Sequence, residues 1–361
     1  MTARAPRLLI RADADAVQGA GHVLRCLALA QGWRDAGGEA LLLSGAATGP
    51  LFARFAAEGA VTHVQAGPLG GTDDAARTLE VARAWGADRL ALDGYRFDPA
   101  CRRRLAGGGV PLLVIDDNGQ AGAYDADWVL DQNVHATAAD YAGATPRCRL
   151  LIGPQFVLLR REFRAGGPSP RDPAAPPRHL VLTFGGGDAD DWTGRTLRAL
   201  ASAPAPDLDV TAVVGPTNPH RAALEALTAA HPARRRLRVD VADMAALLRR
   251  ADLVLSAGGS TLWELAFLGV PALALVVADN QRHGVAEAAR RGVVRSLGWH
   301  ADVTPDQVVR ALAALASDPA ARAALAAAGR ALVDGRGAER VVSAMLGTEP
   351  PAARAASEHG S

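Results

Sequence analysis

The 361-residue sequence predicts an α/β protein made of two doubly wound, Rossmann-like domains that face one another across a cleft. Three observations support this fold class. Short apolar runs, typical of buried parallel strands, alternate with helical patterns along most of the chain. A proline-rich segment at 164–178 interrupts this alternation near the middle of a chain long enough for two cores. On each side of that segment, a glycine-rich turn follows an apolar strand, as in nucleotide-binding sheets.

The individual elements follow from hydrophobic periodicity. Six strands are predicted before the proline-rich segment, near 7–13, 39–45, 60–65, 88–94, 110–117 and 127–133. Five more are predicted after it, in the runs HLVLTF, DVTAVVG, RLRVDV, DLVLSAGG and PALALVV, separated by helices such as 219–230, 243–250 and 260–268. The pattern from 304 to 345 is helical.

These elements predict an order of domains along the chain. We expect an N-terminal Rossmann-like domain over 1–163 that holds the reacting carbon, a linker over 164–178 and a C-terminal Rossmann-like domain over 179–346 that holds a nucleotide. The final stretch, 347–361, is polar and rich in proline and alanine, which predicts a disordered tail.

Composition excludes several functional classes. The 39 Lys+Arg residues balance 38 Asp+Glu, so no field favours nucleic acid or an anionic membrane surface. Cys26, Cys101 and Cys148 lie far apart without metal-ligand spacing, which predicts neither a zinc site nor disulfides and suits a reducing compartment. The sequence has no signal-peptide pattern and no apolar run of about 20 residues. We expect a cytoplasmic protein without metal or cofactor, and the oligomeric state stays open.

The stretch SAGGSTLWELAFLGVPAL, 256–273, predicts an anion-binding turn between a buried strand and a helix. Gly258 and Gly259 allow a phosphate to approach the backbone, and the first N–H groups of the helix point at it. Ser260 and Thr261 add hydroxyl donors, while Glu264, one turn further on, is placed to accept from ribose hydroxyls. A helix capping box is the equally weighted alternative, since Ser/Thr followed by Glu also begins ordinary helices.

A second glycine turn, GAGH with Gly19 and Gly21, follows the first strand and begins an amphipathic helix. His22 therefore lies at a helix N-terminus above the carboxyl end of a strand, where open sheets bind ligands. The positive helix end disfavours a charged imidazole, so we expect a neutral His22 that accepts a proton, oriented by nearby Asp13. The alternative is a surface histidine in a loop.

The two turns, their order and their placement resemble the GT-B architecture of UDP-sugar enzymes, and most closely the PseG-type hydrolases of pseudaminic acid biosynthesis. The resemblance extends to about residue 300. It rests on IRADADAVQGAGHVLRCLALA, LALDGY, VIDDNG, DQN, FVLLRREF, LTFGGGD and LSAGGSTLWELAFLGVPALALVVADNQ. The stretch VADMAALLRRADLVLSAGGSTLWE also resembles the C-terminal domain of the UDP-GlcNAc-dependent peptidoglycan transferase.

This resemblance implies inverting hydrolysis of UDP-2,4-diacetamido-2,4,6-trideoxy-β-L-altropyranose, with release of UDP and free sugar. His22 would activate the attacking water, and Tyr95 would form part of the active-site wall. The implied UDP and substrate contacts are Glu264 to ribose, the Asn280–Gln281 pair near sugar and phosphates, the Val241 backbone at uracil, and Gly185 and Gly186 of the LTFGGGD turn. The LDGY motif departs from the family pattern before the tyrosine, which leaves Gly94 without a role.

Other readings of the same residues stay open. A GT-B glycosyltransferase would use His22 to deprotonate an acceptor hydroxyl, and a non-catalytic nucleotide-sugar binding protein would keep GGST without needing His22. A dinucleotide oxidoreductase is disfavoured, because Leu24 occupies the third glycine position of GxGxxG. A metal-binding DxD pair, Asp13/Asp15 or Asp188/Asp190, is also disfavoured, since a helix end already compensates phosphate charge and acidic turns are common.

Overall fold

The computed structural model describes residues 4–14, 20–46, 49–117, 119, 123–202 and 207–348, which form two compact α/β units. Unit 1 comprises Met1–Arg161 together with Gly335–Ser361. Unit 2 comprises Glu162–Asp334. Each unit contains one parallel sheet flanked by helices, so the doubly wound fold class expected from the sequence is confirmed.

Unit 1 contains a seven-stranded parallel sheet. Its strands are β1 (Arg7–Ala12), β2 (Glu39–Ser44), β3 (Val61–Val64), β4 (Arg89–Asp93), β5 (Leu112–Ile115), β6 (Trp128–Asp131) and β7 (Arg149–Ile152). They are arranged in the order β3-β2-β1-β4-β5-β6-β7, so the strand order reverses between β1 and β4. The helices that begin or lie in this unit are α1 (Gly21–Asp35), α2 (Gly49–Ala57), α3 (Thr72–Trp85), α4 (Pro99–Ala106), α5 (Arg161–Ala165) and α13 (Gly337–Leu346).

Burial on both faces explains why the central strands of unit 1 are continuous apolar runs. Leu8, Leu9 and Ile10 of β1 are all fully buried, although successive side chains point to opposite faces. The sequence did not predict β7, because its run of four residues at the edge of the sheet gives too short an apolar signal.

Unit 2 contains a six-stranded parallel sheet in the order β10-β9-β8-β11-β12-β13. Its strands are β8 (His179–Thr183), β9 (Asp209–Val214), β10 (Arg235–Val239), β11 (Leu253–Ala257), β12 (Ala272–Val276) and β13 (Arg295–Trp299). Its helices are α6 (Trp192–Ser202), α7 (Arg221–Ala229), α8 (Met244–Arg249), α9 (Thr261–Leu268), α10 (Arg282–Arg290), α11 (Pro305–Ala316) and α12 (Pro319–Leu332). The edge strand β13 is largely exposed, so it lacked the apolar pattern that reveals its neighbours.

The last helix returns to unit 1, which differs from the sequence-based domain limit at 346. Val341 and Val342 of α13 are buried in the same core as Trp33 of α1. Gly32 of α1 lies so close to Ala338 that an added Cβ would be 3.0 Å from the alanine methyl. The apolar face of α13 therefore completes unit 1, and unit 2 ends at Asp334.

The proline-rich segment 164–178 is attached to unit 2 along its length. Arg322, which is buried, donates hydrogen bonds to the carbonyls of Pro173, Ala174 and Ala175. Ser169 N donates to Leu268 O at 2.8 Å. These contacts fix the segment expected to be an interdomain linker as part of unit 2.

At the C-terminus, Gly347 ends α13 with a left-handed φ of 71°. The rest of the expected tail, 349–361, lies outside the described residues. Within the described part of the chain, none of the helices combines the length and apolarity needed to cross a bilayer.

Candidate active site

The candidate catalytic groups of unit 1 lie where its strand order reverses, between the carboxyl ends of β1 and β4. His22 is the second residue of α1, the helix that follows β1, and its side chain is buried. Asp93 is the last residue of β4 and is fully buried. A ligand-binding crevice is expected at this position in open α/β sheets. Gly19 of the preceding turn lies outside the described residues, while Gly21 begins α1 with open space around the position of an added Cβ.

Asp93 is the carboxylate that orients His22. The Nδ1 atom of His22 lies 2.7 Å from Asp93 Oδ1. Two acceptors would repel one another at this distance, so Nδ1 carries a proton, and in the neutral imidazole Nε2 then keeps its lone pair. This tautomer, assigned from the hydrogen-bond geometry, makes Nε2 the nitrogen able to take a proton from a substrate or water.

Arg25, one helical turn after His22, binds the same carboxylate. Its Nε donates to Asp93 Oδ2 at 2.6 Å and its Nη2 donates to Asp93 Oδ1 at 2.7 Å. Burial alone would raise the pKa of Asp93, but the Arg25 guanidinium and His22 hold it well below its ordinary value. Asp93 is therefore ionised and able to stabilise an imidazolium at His22.

Tyr95, which the resemblance assigns to the active-site wall, lies beside His22. The two rings meet edge to face, with centroids 4.7 Å apart and planes at 87°. The tyrosine hydroxyl donates to Asp117 Oδ2 at 2.7 Å, and half of its side chain is exposed. Tyr95 is thus both fixed by a partly buried acid and exposed to a ligand.

Asp13 does not orient His22, so this part of the expectation is wrong. Arg11 holds Asp13 through two contacts of 2.5 and 3.0 Å, and Asp13 Oδ1 also accepts from Gly45 N at 2.6 Å. Arg11 in turn binds Asp74, which is fully buried. The carboxylate after β1 therefore belongs to a buried ion network on the β2 side of the sheet.

Further acids occupy the carboxyl ends of β5 and β6, and sequence reasoning gave them no role. Asp131 accepts from Tyr141 Oη at 2.8 Å and from Asn133 N at 2.9 Å. Asn133 Nδ2 also donates to Asp117 Oδ1 at 3.0 Å, which connects Asp131 to the site. Burial raises the pKa of Asp131 to about 6, despite these hydrogen bonds. The sequence feature that could have indicated these acids is the recurrence of aspartate at the ends of LALD, VIDD and VLD.

Cys26 also touches this cluster, but its thiol is not a nucleophile. Its Sγ lies 3.4 Å from Asp93 Oδ2 and the side chain is fully buried. Burial, reinforced by the Asp93 charge, raises the pKa of the thiol well above its ordinary value. The reactive thiolate is therefore suppressed.

In unit 2, the reversal of strand order falls between β8 and β11, and both predicted glycine turns follow these strands. Gly185 has a left-handed φ of 87°, and Gly186 O accepts from Gly215 N at 2.9 Å. Asp188, at the end of the first turn, accepts from the N–H groups of Trp192 and Thr193. The N-terminus of α6 is therefore already occupied by a carboxylate.

The N-terminus of α9 differs, because its side chains do not cap it. Ser260 is the N-cap residue and makes no side-chain cap hydrogen bond, which disfavours the capping-box alternative. A Cβ at Gly259 would meet nothing within 4 Å, whereas a Cβ at Gly258 would collide with Val285. Packing thus explains Gly258, while Gly259 and the adjoining Thr261 N-terminus form an open turn that fits an anion.

Among the other predicted contacts of unit 2, Gln281 bonds directly to this turn. Gln281 Oε1 accepts from Gly258 N at 3.1 Å and from Val277 N at 3.0 Å, so it ties β11 to β12. Asn280 is exposed beside it. Glu264 lies in the first turn of α9 and is half-buried. Val241 is half-buried in the loop after β10.

The described residues give no support to a metal-bound diphosphate. Asp188 accepts hydrogen bonds from the backbone of α6, and Asp190 Oδ2 lies 3.3 Å from His300 Nδ1. Asp15 is outside the described residues. Among the residues that the structure describes, no group of three His, Cys, Asp or Glu side chains has metal-binding geometry.

Comparisons with known proteins agree with this architecture. Residues 207–339 match the family model described as the glycosyltransferase family 28 C-terminal domain. The chain is 28% identical over 199 residues to the spore coat polysaccharide biosynthesis protein SpsG of Bacillus subtilis, covering 54% of this chain and 57% of that protein. It is 29% identical over 271 residues to the UDP-N-acetylglucosamine–N-acetylmuramyl-(pentapeptide) pyrophosphoryl-undecaprenol N-acetylglucosamine transferase of Sorangium cellulosum, covering 71% and 64%. The chain thus spans about 60% of the length of these two relatives.

Solved structures establish the fold over almost the whole chain. The structure of Anabaena HepE in complex with UDP matches with a TM-score of 0.64 at 17% identity, covering 95% of this chain and 100% of that chain. The GT-B fold expected from the sequence, with two Rossmann-like parallel-sheet domains, is therefore confirmed.

Proposed function

We propose that the chain hydrolyses a UDP-linked sugar at its anomeric carbon, releasing UDP and the free sugar with inversion. The observation that carries this proposal is the buried His22–Asp93 pair at the switch point of unit 1, in which the carboxylate holds Nδ1. A histidine held in this tautomer by an ionised carboxylate is the arrangement of a general base.

In this reaction, His22 Nε2 takes a proton from water while the water oxygen bonds to the anomeric carbon. The bond from that carbon to the phosphate oxygen breaks, and the electron pair leaves with UDP. Asp93 stabilises the imidazolium that forms. General-base assistance of this kind contributes about 100- to 10,000-fold in rate. UDP is a good leaving group, so a second carboxylic acid of the glycosidase type is not required.

Unit 2 supplies the nucleotide-binding part of the proposal. The open turn at Gly259 and the uncapped N-terminus of α9 fit the diphosphate, and Glu264 is placed one turn further for the ribose. Backbone donors of this type stabilise developing phosphate charge, and losing one such donor costs about 100- to 1000-fold in comparable oxyanion sites. The UDP complex of HepE, a protein of the same fold, supports UDP as the nucleotide.

For the sugar, the PseG-type motifs support UDP-2,4-diacetamido-2,4,6-trideoxy-β-L-altropyranose, and with it a role in nonulosonic acid biosynthesis. The similarity to SpsG, which is named for polysaccharide biosynthesis, is compatible with a modified bacterial sugar.

A GT-B glycosyltransferase is the second candidate. It is favoured by the match of residues 207–339 to a glycosyltransferase family and by the similarity to the N-acetylglucosamine transferase. The same His22 would then deprotonate an acceptor hydroxyl instead of water.

Incubation of the purified chain with this UDP-sugar in ¹⁸O-labelled water separates the candidates. A hydrolase releases UDP without an acceptor and places one ¹⁸O at the anomeric oxygen of the free sugar. UDP release that begins only after an alcohol acceptor is added identifies a transferase and overturns the proposal. UDP binding without turnover under both conditions identifies a binding protein.

A further inference from the structure

We propose that Arg25 is a positioning residue, whose guanidinium fixes Asp93 and Asp117 in one arrangement and thereby orients both His22 and Tyr95. This inference rests on the proposed function, since it concerns the same site. Arg25 itself is buried beneath His22 and is placed to act through the two carboxylates.

The contacts of Arg25 use the planar fork of its guanidinium. Nε and Nη2 grip both oxygens of Asp93, and Nη1 donates to Asp117 Oδ1 at 2.6 Å. A bidentate grip on one acid and a third bond to another fix both carboxylates in direction as well as distance. Lysine carries the same charge but is a point donor, so it cannot reproduce this arrangement.

Asp93 positions the imidazole of His22, and Asp117 positions the ring of Tyr95. Asp93 Oδ1 receives both Arg25 Nη2 and His22 Nδ1, so the position of the imidazole depends on the guanidinium. Asp117 Oδ2 accepts from Tyr95, whose ring lies against His22. Tyr95 and His22 are thus connected through the side chain of Arg25 and the two carboxylates that it binds.

The charges of this cluster also favour proton transfer to His22. With Arg25 positive, Asp93 and Asp117 negative and His22 neutral, the formal charge is −1, and uptake of one proton by His22 brings it to zero. Loss of Arg25 would remove the positive charge that lowers the pKa of both Asp93 and Asp117, so proton binding by the cluster as a whole would move to higher pH. Among the described residues, Asp93, Arg25 and Tyr95 contact His22, Cys26 and Asp117 bond to these groups, and Asp131 is connected through Asn133.

The same sheet contains a matched control. Arg11 is also buried and also bridges two acids, Asp13 and Asp74, but neither of these acids contacts His22 in the described structure. Arg11→Lys therefore reproduces the loss of a buried guanidinium fork without disturbing the base.

The test compares Arg25→Lys, Arg25→Ala and Arg11→Lys by kcat, KM, UDP affinity and unfolding. We expect Arg25→Lys to lower kcat about 100-fold, the usual effect of misplacing a catalytic group by about 1 Å, with UDP affinity unchanged. For Arg25→Ala, the acid limb of the pH–rate profile should move to higher pH, and added guanidinium ion should restore at least part of kcat. Arg11→Lys should lose stability while keeping kcat within about threefold, since misplacement is confined to a network away from the base.

Nitrogen NMR of His22 gives a readout that does not require turnover. We expect the Nδ1–H tautomer in the unaltered protein, and a changed tautomer population and titration in Arg25→Ala but not in Arg11→Lys. Absence of UDP-sugar turnover by the unaltered protein would reject the proposed function, whereas the NMR comparison would still decide the role of Arg25. An unchanged His22 tautomer and titration in Arg25→Ala, or equal kcat in Arg25→Lys and Arg11→Lys, would overturn the positioning role.

Discussion

The candidate site of unit 1 consists of side chains, whereas that of unit 2 consists mainly of backbone groups. At the switch point of unit 1, side chains from α1, β4 and the loops after β5 and β6 converge, including His22, Arg25 and Asp93. At the switch point of unit 2, a single turn exposes its backbone around Gly259, and the helix N-terminus lacks a side-chain cap. A site made of side chains is vulnerable to the loss of one functional group, whereas a site made of backbone is vulnerable chiefly to added bulk.

The largest expected effect is that of His22→Asn on turnover. Asparagine keeps a donor near Asp93 but offers no basic nitrogen, so kcat should fall by about 100- to 10,000-fold. UDP affinity should be unchanged, because the nucleotide is assigned to unit 2. Steady-state kinetics with isothermal titration of UDP measures both quantities.

His63→Asn, on the exposed edge strand β3 of the same sheet, is the matched control for this substitution. It should keep full turnover. If His22→Asn also keeps full turnover, the assignment of the base is wrong and the contrast between the two units no longer holds.

The next largest effect tests the backbone site through Gly259→Ala. The added methyl meets nothing in the described protein and the residue has no left-handed φ, so the free energy of unfolding should change by less than about 1 kcal/mol. If a phosphate lies against this glycine, the methyl should weaken UDP binding at least tenfold, or about 1.4 kcal/mol.

Two comparisons sharpen the result for Gly259. Gly258→Ala should unfold at lower temperature because its methyl collides with Val285, and Gly49→Ala, at an equally open helix start in unit 1, should alter neither property. Full UDP affinity in Gly259→Ala would remove the diphosphate from this turn.

A smaller effect is expected for Glu264→Gln. Hydrogen bonds to a charged group contribute about 1.5–3 kcal/mol, so loss of the carboxylate should weaken UDP binding by roughly 10- to 100-fold if it accepts from the ribose hydroxyls. Inorganic pyrophosphate, which has no ribose, serves as the internal control, and its affinity should be unchanged. An equal loss for both ligands would place the effect in the folding of α9 instead of at the ribose.

The same difference between the two units explains which parts of each candidate site the sequence could predict. The GGST turn is contiguous in sequence, so the strand, the glycines and the start of the helix could be predicted from one short stretch. The structure has them in that order. The partner of His22 was misassigned to Asp13, which is near in sequence, because Asp93 is 71 residues away and only strand order brings it to β1. The proximity of Arg25 to His22 could have been predicted from the sequence, because residues three apart share one face of a helix.

The last predicted effect concerns the free energy of unfolding instead of turnover or UDP binding, and it tests whether the acids of unit 1 are placed at a cost to folding. Burial raises the pKa of Asp131 to about 6, above the ordinary value of an unfolded aspartate, so the folded state binds its proton more tightly. Relative to a neutral side chain, ionisation of Asp131 therefore costs nothing below about pH 4, destabilises the fold increasingly between pH 4 and 6, and destabilises it by about 2–3 kcal/mol at pH 8.

Asp131→Asn removes this charge while keeping an oxygen that accepts from Asn133 N. We expect the variant to be more stable than the unaltered protein at pH 8, and this gain to shrink towards pH 4, as measured by urea unfolding at both values. Asp74→Asn is the control of opposite sign, because Arg11 lowers the pKa of Asp74 against the effect of burial, and this carboxylate stabilises the fold above about pH 4. If Asp131→Asn changes the free energy of unfolding by the same amount at both pH values, folding does not raise the pKa of Asp131 and its ionised form carries no penalty. The acidic edge of unit 1 would then be an ordinary part of the folded core.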